Sequence, residues 1–143
     1  MTTKPASIKP LAKADYEALA RLRYHLRRFL SFSEKAATAA GVTPRQHQAL
    51  LAIKGFPGRD QVTIGELAEQ LQIAHHTTVE LADRLVAQGL VTRSSGNRDR
   101  RTVFLRVARK GETLLTRLSL AHRAEIHRIG PRLSALLEDL ENS

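Results

Sequence analysis

Apolar side chains recur at spacings of three and four through most of the chain, which predicts a mainly helical protein. Leu19, Leu22, Leu26, Phe29 and Leu30 form the first such stripe, with Arg21, Arg23, Arg27 and Arg28 between them. They describe one long amphipathic helix that begins near Asp15 and stops before Gly41. Upstream, residues 1–10 carry Pro5, Pro10 and two lysines without an apolar period, and read as an arm.

Two helix starts announce themselves by local chemistry. Thr43-Pro44-Arg45-Gln46 offers a Thr N-cap, Pro at the first helical position and Gln at the third, so a second helix should run to about Lys54. The segment GFPGRDQ breaks that helix. Thr63-Ile64-Gly65-Glu66 then repeats the capping pattern and opens a short helix carrying Leu67, Ala68 and Leu71. A tight connection leads to a further helix from His75 to about Gln88, with Val79, Ala82, Leu85 and Val86 expected inside and Gly89 as its C-cap.

The period then changes from helical to alternating. Leu90 to Ser94 and Thr102 to Val107 read as two strands, with the Ser95-Gly96-Asn97 region at the tip of the hairpin between them. From Arg109 to about Ile129, Leu114, Leu115, Leu118 and Ala121 restore the helical spacing. Gly130-Pro131 is expected to interrupt it, leaving Leu133, Leu136, Leu137 and Leu140 on a last short helix. Helix, short turn, helix and hairpin, in that order, describe a winged helix-turn-helix with a two-stranded wing, flanked by long terminal helices.

Composition narrows the function. At 143 residues one folding unit is expected, and with only six aromatics among 42% apolar residues its core should be aliphatic. The absence of Cys excludes disulfide frameworks, thiolate metal sites and cysteine nucleophiles. No apolar run approaches the ~20 residues of a membrane span, and the N-terminus lacks a secretory apolar core, so a cytoplasmic protein without a membrane partner is expected. No Gly-rich phosphate loop, GxSxG, HExxH or paired-carboxylate site is present, which argues against an enzyme and against a cofactor.

Charge is what singles out the hairpin. The net charge is +9, and the stretch RSSGNRDRRTVFLRVARK, Arg93 to Lys110, holds seven basic residues against one acid. Cations concentrated on a wing behind a helix-turn-helix suit a polyanion, because each neutralised phosphate releases counterions, and duplex DNA is the expected partner.

The span TIGELAEQLQIAHHTTVELADRLVAQGLVTRSSGNRDRRTVFLRVARKG resembles the MarR family of bacterial transcriptional regulators. The resemblance is carried by ELAEQL, by the DRL and GLV.R run from Asp83 to Arg93, and by DRR at Asp99 to Arg101. It implies a homodimeric winged-helix protein, built from N- and C-terminal dimerisation helices, that binds a near-palindromic operator and is often released by a small ligand. The whole of 1–143 would then be one domain, with a DNA-binding lobe over about 43–108 and a helical dimerisation region over about 11–40 and 109–143. Independently, the Leu- and Ala-rich terminal helices present more apolar surface than so small a lobe can cover, and a two-fold protein matches a two-fold operator.

Residue roles follow as expectations. His75, His76, Thr77 and Thr78 open the recognition helix and are placed to read bases, although Thr78 or His75 can equally cap or pack. Glu80 departs from the family's usual polar donor, and either reads a cytosine amine or faces a basic neighbour such as Arg84. Arg98 and Arg100 at the wing tip, with Arg84, Arg93 and Arg101, are candidate DNA contacts. Asp99 and Arg101 can instead brace the hairpin, Asp99 pairing with Arg84 or Arg101. A repressor that occludes a promoter is the simplest output. An effector, expected to be anionic, would enter a cleft between the first helix and the lobe and meet Arg21, Arg23 or Arg28.

Two alternatives compete. A basic module that docks an acidic protein would show weak salt dependence on DNA. A metal-responsive regulator would need ligands from His75, His76, His122 and His127, but adjacent histidines diverge on a helix and i, i+5 pairs share no face, so no metal ligand is assigned.

Overall fold

The computed structural model describes residues 8–95 and 101–143. The wing tip, with Arg98, Asp99 and Arg100, lies outside the described residues. Among the described residues five helices and three strands follow in the order α1 (Lys13–Ala39), α2 (Pro44–Lys54), β1 (Gln61–Thr63), α3 (Ile64–Leu71), α4 (His75–Ala87), β2 (Val91–Ser95), β3 (Val103–Val107) and α5 (Arg109–Glu141). The chain divides into two compact units, residues 8–31 with Ala124–Ser143, and Phe32–Arg123.

The second unit is the winged-helix lobe. Both expected capping boxes are formed: Gln46 N–H donates to Thr43 Oγ1 at 3.1 Å while Thr43 N–H donates to Gln46 Oε1 at 3.0 Å, and Thr63 and Glu66 repeat the exchange at 2.9 and 3.1 Å. Each box satisfies two amides that the helix itself cannot. At the end of α4, Gly89 takes φ +73°. Leu90 N–H then reaches Leu85 O at 2.9 Å and Gly89 N–H reaches Val86 O at 3.0 Å, a Schellman closure that a side chain at position 89 would strain.

The core of this unit is aliphatic, as expected. Leu50, Ile53, Val62, Leu67, Leu85 and Leu105 are fully buried, and Ala37 from α1 with Leu115 and Leu118 from α5 close it. The lobe therefore draws on the last turns of α1 and the first half of α5 as well as on α2 to β3. On α4 the enclosed residues are Thr78, Leu81, Ala82 and Leu85, whereas the expected Val79 and Val86 are only half-buried.

One expectation is extended and one corrected. β2 and β3 form the expected two-stranded hairpin, and among the described residues a third strand joins it, giving a sheet in the order β1-β3-β2 that is antiparallel throughout. Gln61-Val62-Thr63 pairs with Phe104 to Arg106, Val62 opposite Leu105, which joins the segment before α3 to the hairpin. This third strand supplies what an isolated hairpin lacks for stability. The helix expected to break at Gly130-Pro131 instead runs unbroken from Arg109 to Glu141. Pro131 removes one amide donor to His127 O, but both residues are exposed, so the freed carbonyl is open to solvent and the break costs less than in a buried helix.

The first unit is helical and amphipathic. Tyr16, Leu19, Leu26 and Leu30 fall within one arc of α1 at 100° per residue and are 44–57% exposed. On α5, Ile126 and Leu137 are similarly exposed, while Ile129 is buried.

Candidate nucleic-acid interface

The start of α4 is built to face outward. Ala74 at the N-cap makes no side-chain cap, so the first-turn amides at the positive end of the helix keep their donors for an outside acceptor. His75 and His76 are exposed and Thr77 is half-buried beside them. Thr78 is different. It is fully enclosed, and its hydroxyl donates 2.9 Å back to Ala74 O. The expectation that Thr78 reads DNA is therefore corrected, because a base cannot reach a side chain committed to the lobe's interior.

The outer face of α4 continues through Glu80, Asp83, Arg84 and Ala87, all exposed. Thr77, Glu80 and Arg84 share a groove of about 520 Å³ with Thr43, Arg45, Gln46 and Gln48 from the start of α2. Arg45 and Gln48 were not singled out from sequence. Their capping box located the helix start, but only the packing of α2 beside α4 places them at the same groove. No ion pair joins Glu80 to Arg84 among the described residues; the acid lies in a groove rimmed by Arg45 and Arg84.

The wing is tied down by part of its own charge. Arg93 on β2 forms an ion pair with Asp83 on α4. Asp83 thus braces the wing to α4, and the two ends of the DRL to GLV.R run hold each other, while the bracing expected of Asp99 lies outside the described residues. Arg106 on β3 pairs with Asp60 at 2.8 Å, which holds the Asp60 carboxyl below its usual range. Lys110 Nζ donates to Gln88 O at 3.0 Å, capping the end of α4. Arg101 is exposed. Exposed pairs of this kind contribute little stability each, but they fix the hairpin's direction relative to α4.

The arginines of α1 separate by face. Arg21 and Arg28 line a cavity of about 480 Å³ within the helical unit, together with Tyr24, His25, Arg132, Ala135 and Leu136. Arg23 is not among its walls; at 100° per residue it lies on the face of Leu19, Leu26 and Leu30. Among the described residues no group of three or more His, Asp or Glu could hold a metal ion, and no helix is long and apolar enough to cross a membrane.

Comparison with known proteins agrees with this geometry. The sequence profile of the MarR family matches residues 40–102, from the end of α1 to the wing. A proposed transcriptional regulatory protein for the hcr operon of Thauera aromatica is 30% identical over 137 residues, with 92% of this chain and 80% of that one covered. The crystal structure of YusO from Bacillus subtilis matches with a TM-score of 0.70 at 18% identity, over 94% of this chain and 99% of that one. A MarR family protein from Bacillus stearothermophilus matches with the same TM-score of 0.70 at 26% identity, over 84% and 82%. The YusO likeness speaks for the fold alone, whereas the Thauera relative extends the agreement through most of both sequences. A winged lobe whose recognition helix and wing carry the family's own motifs, in a chain related to such regulators along nearly its whole length, belongs to the MarR family of DNA-binding transcriptional regulators, which are not enzymes.

Proposed function

We infer that the protein acts as a homodimer on a near-palindromic operator and represses transcription by occluding a promoter. The observation that carries this reading is the exposed face of α4, His75, His76 and Thr77 leading to Arg84, set beside Arg45 of α2 and braced to the wing through Asp83 and Arg93. In this reading α4 enters the major groove, Thr77 and the two histidines contact base edges, and Arg84 with Arg45 meets phosphate. Arg98, Arg100 and Arg101 extend the contact along the backbone, and Arg93 positions the wing.

The apolar face of α1, Tyr16, Leu19, Leu26 and Leu30, supports the dimer, since four large exposed side chains on one arc favour burial against a second copy. A cytoplasmic location fits a protein that works on the chromosome. An anionic effector is supported by the cavity that gathers Arg21, Arg28 and Arg132 around Tyr24, and such a ligand would act by preferring a dimer whose recognition helices are wrongly spaced.

Arg100→Ala tests the wing. Affinity for specific and random duplex alike should fall about tenfold, and the log-log slope against salt should shrink by about 0.9, the contribution of one phosphate. Equal affinities of the two proteins across a salt series would remove Arg100 from the interface, and a flat slope for both would favour the acidic-protein reading.

A further inference from the structure

A pair of imidazoles lies inside the lobe on the side of α2 opposite Arg45 and Gln48. His47, on α2, is only 4% exposed, and its Nδ1 is buried without a hydrogen-bond partner among the described residues. Its ring centroid stands 4.9 Å from that of His122 on α5, with the planes tilted 42°. His122 is held on both sides: Nδ1 lies 2.6 Å from Leu118 O, and Nε2 lies 2.7 Å from Ser33 Oγ on α1. A carbonyl only accepts, so the proton of the neutral ring sits on Nδ1, and Nε2 accepts from the Ser33 hydroxyl. Phe32 meets the same ring edge-on at 5.4 Å.

Three helices thus converge on two titratable rings. The charged side chains nearest in sequence on those helices, Glu34 and Lys35 on α1, Arg45 on α2 and Arg123 on α5, are exposed. The titratable group that bears on His47 is His122, which has the sign to oppose a second charge; among the described residues no carboxylate bears on His47, and Glu125, half-buried one turn along α5 from His122, is paired with Arg128. An imidazolium at His47 would be a buried cation with no acceptor for its Nδ1 proton.

We propose that His47 and His122 form a proton-binding site that loosens the packing of α2 against α5 as pH falls, and thereby weakens the grip of the lobe on DNA. Burial, and then the facing His122, hold the His47 ring below its ordinary pKa. Well above about 6.5 both folded and unfolded chains leave this ring neutral. Below that value the unfolded chain takes up the proton first, so stability is full at neutral pH and falls with acidification, by up to tenfold in the folding equilibrium per pH unit for one proton. Arg45 and Gln48 ride on the same helix, which connects this core site to the groove beside α4. The link to DNA rests on the function proposed above; the proton site itself does not.

The test uses the full chain in two arms. Urea denaturation without DNA, from about pH 7.5 to about pH 5.5, should show wild-type stability falling and His47→Leu losing most of that dependence. The imidazole NMR titration of wild-type protein should show the His47 ring still neutral below the ordinary range, and it decides the matter should His47→Leu not fold. Equal pH dependence in the two proteins, or a His47 ring titrating at or above about 6.5, would overturn the site. In the second arm, binding to a random-sequence duplex at fixed salt is followed in a His75→Gln, His76→Gln background, because those exposed rings gain affinity on protonation and mask the effect. Affinity should fall several-fold over the same range, and adding His47→Leu should abolish the fall. A constant affinity beside a falling stability would overturn the link to DNA. No duplex binding by the wild-type protein at any pH would refute the DNA-contact reading while leaving the first arm to decide the site.

Discussion

Gly111→Ala is expected to destabilise the lobe by about 3 kcal/mol, at the upper end of what a single overpacked methyl group costs. A Cβ at this position would lie 2.3 Å from Leu90 O, 2.9 Å from Val107 Cγ1 and 3.2 Å from Leu90 C. The neighbour that would have to yield is backbone, and it is anchored twice: Leu90 O accepts from Ala108 N–H at 2.9 Å, and Leu90 N–H closes the end of α4. The next residue, Val91, pairs with Val107 at the base of the hairpin. Gly111 is therefore where α5 passes against the junction of recognition helix and wing, and a methyl group there pushes both away. Gly130→Ala provides the contrast. Nothing lies within 4 Å of its added Cβ, and the helix runs through it, so this change should stabilise by roughly 0.5–1 kcal/mol. Urea denaturation of the two variants checks the pair, and similar midpoints for both would show that the approach of α5 to Leu90 is not tight.

Leu26→Lys combined with Leu30→Lys is expected to yield a folded monomer whose affinity for a palindromic duplex is lower by about a hundredfold or more, because the second half-site is no longer bound at the effective concentration that a dimer provides. The two side chains are 46% and 53% exposed, so replacing them should leave the fold of each chain largely intact. A second copy seated on this face would meet two unpaired ammonium groups, a cost that an apolar interface cannot absorb. Sedimentation of the variant with duplex titration in parallel separates the effects. A variant that remained dimeric would place the interface elsewhere on the chain.

What could be read from the sequence was what is encoded locally. Thr43 with Gln46, and Thr63 with Glu66, each lie three residues apart and satisfy each other's backbone donors, so both helix starts were legible and both boxes are formed. Gly89 was legible for the same reason. β1 was not, because three residues with one apolar side chain carry no period, and their order comes from pairing with Phe104 to Arg106, more than forty residues away. Pro131 was read by its intrinsic cost, which solvent at an exposed turn reduces. Thr78 illustrates a third limit: base reader and helix-packing residue share one chemistry, and only its burial and its bond to Ala74 O separate them.

The interface divides in the same way. The recognition helix and wing were legible because charge and element order coincide there. The basic run from Arg93 to Lys110 nevertheless proves heterogeneous, since Arg93, Arg106 and Lys110 are committed to Asp83, Asp60 and Gln88 O. Asp60 and Gln88 lie 46 and 22 residues from their partners, separations that no motif spans, whereas Asp83 and Arg93 close the two ends of one motif. On the function proposed above, the charge left for DNA in this run is correspondingly smaller, so that reading assigns sequence preference chiefly to the exposed start of α4 and backbone contact to Arg45 and Arg84 of the adjoining groove.

The central claim is that two copies of this lobe read two half-sites at once. Selection of bound sequences from a pool of random duplexes tests it most directly. The expected result is a near-palindrome whose half-sites are centred about one helical turn apart, roughly 10 base pairs, or a multiple of it, and whose preference at one position per half-site relaxes in Thr77→Ala. Enrichment of no sequence, or of a single asymmetric element indifferent to Thr77→Ala, would contradict it.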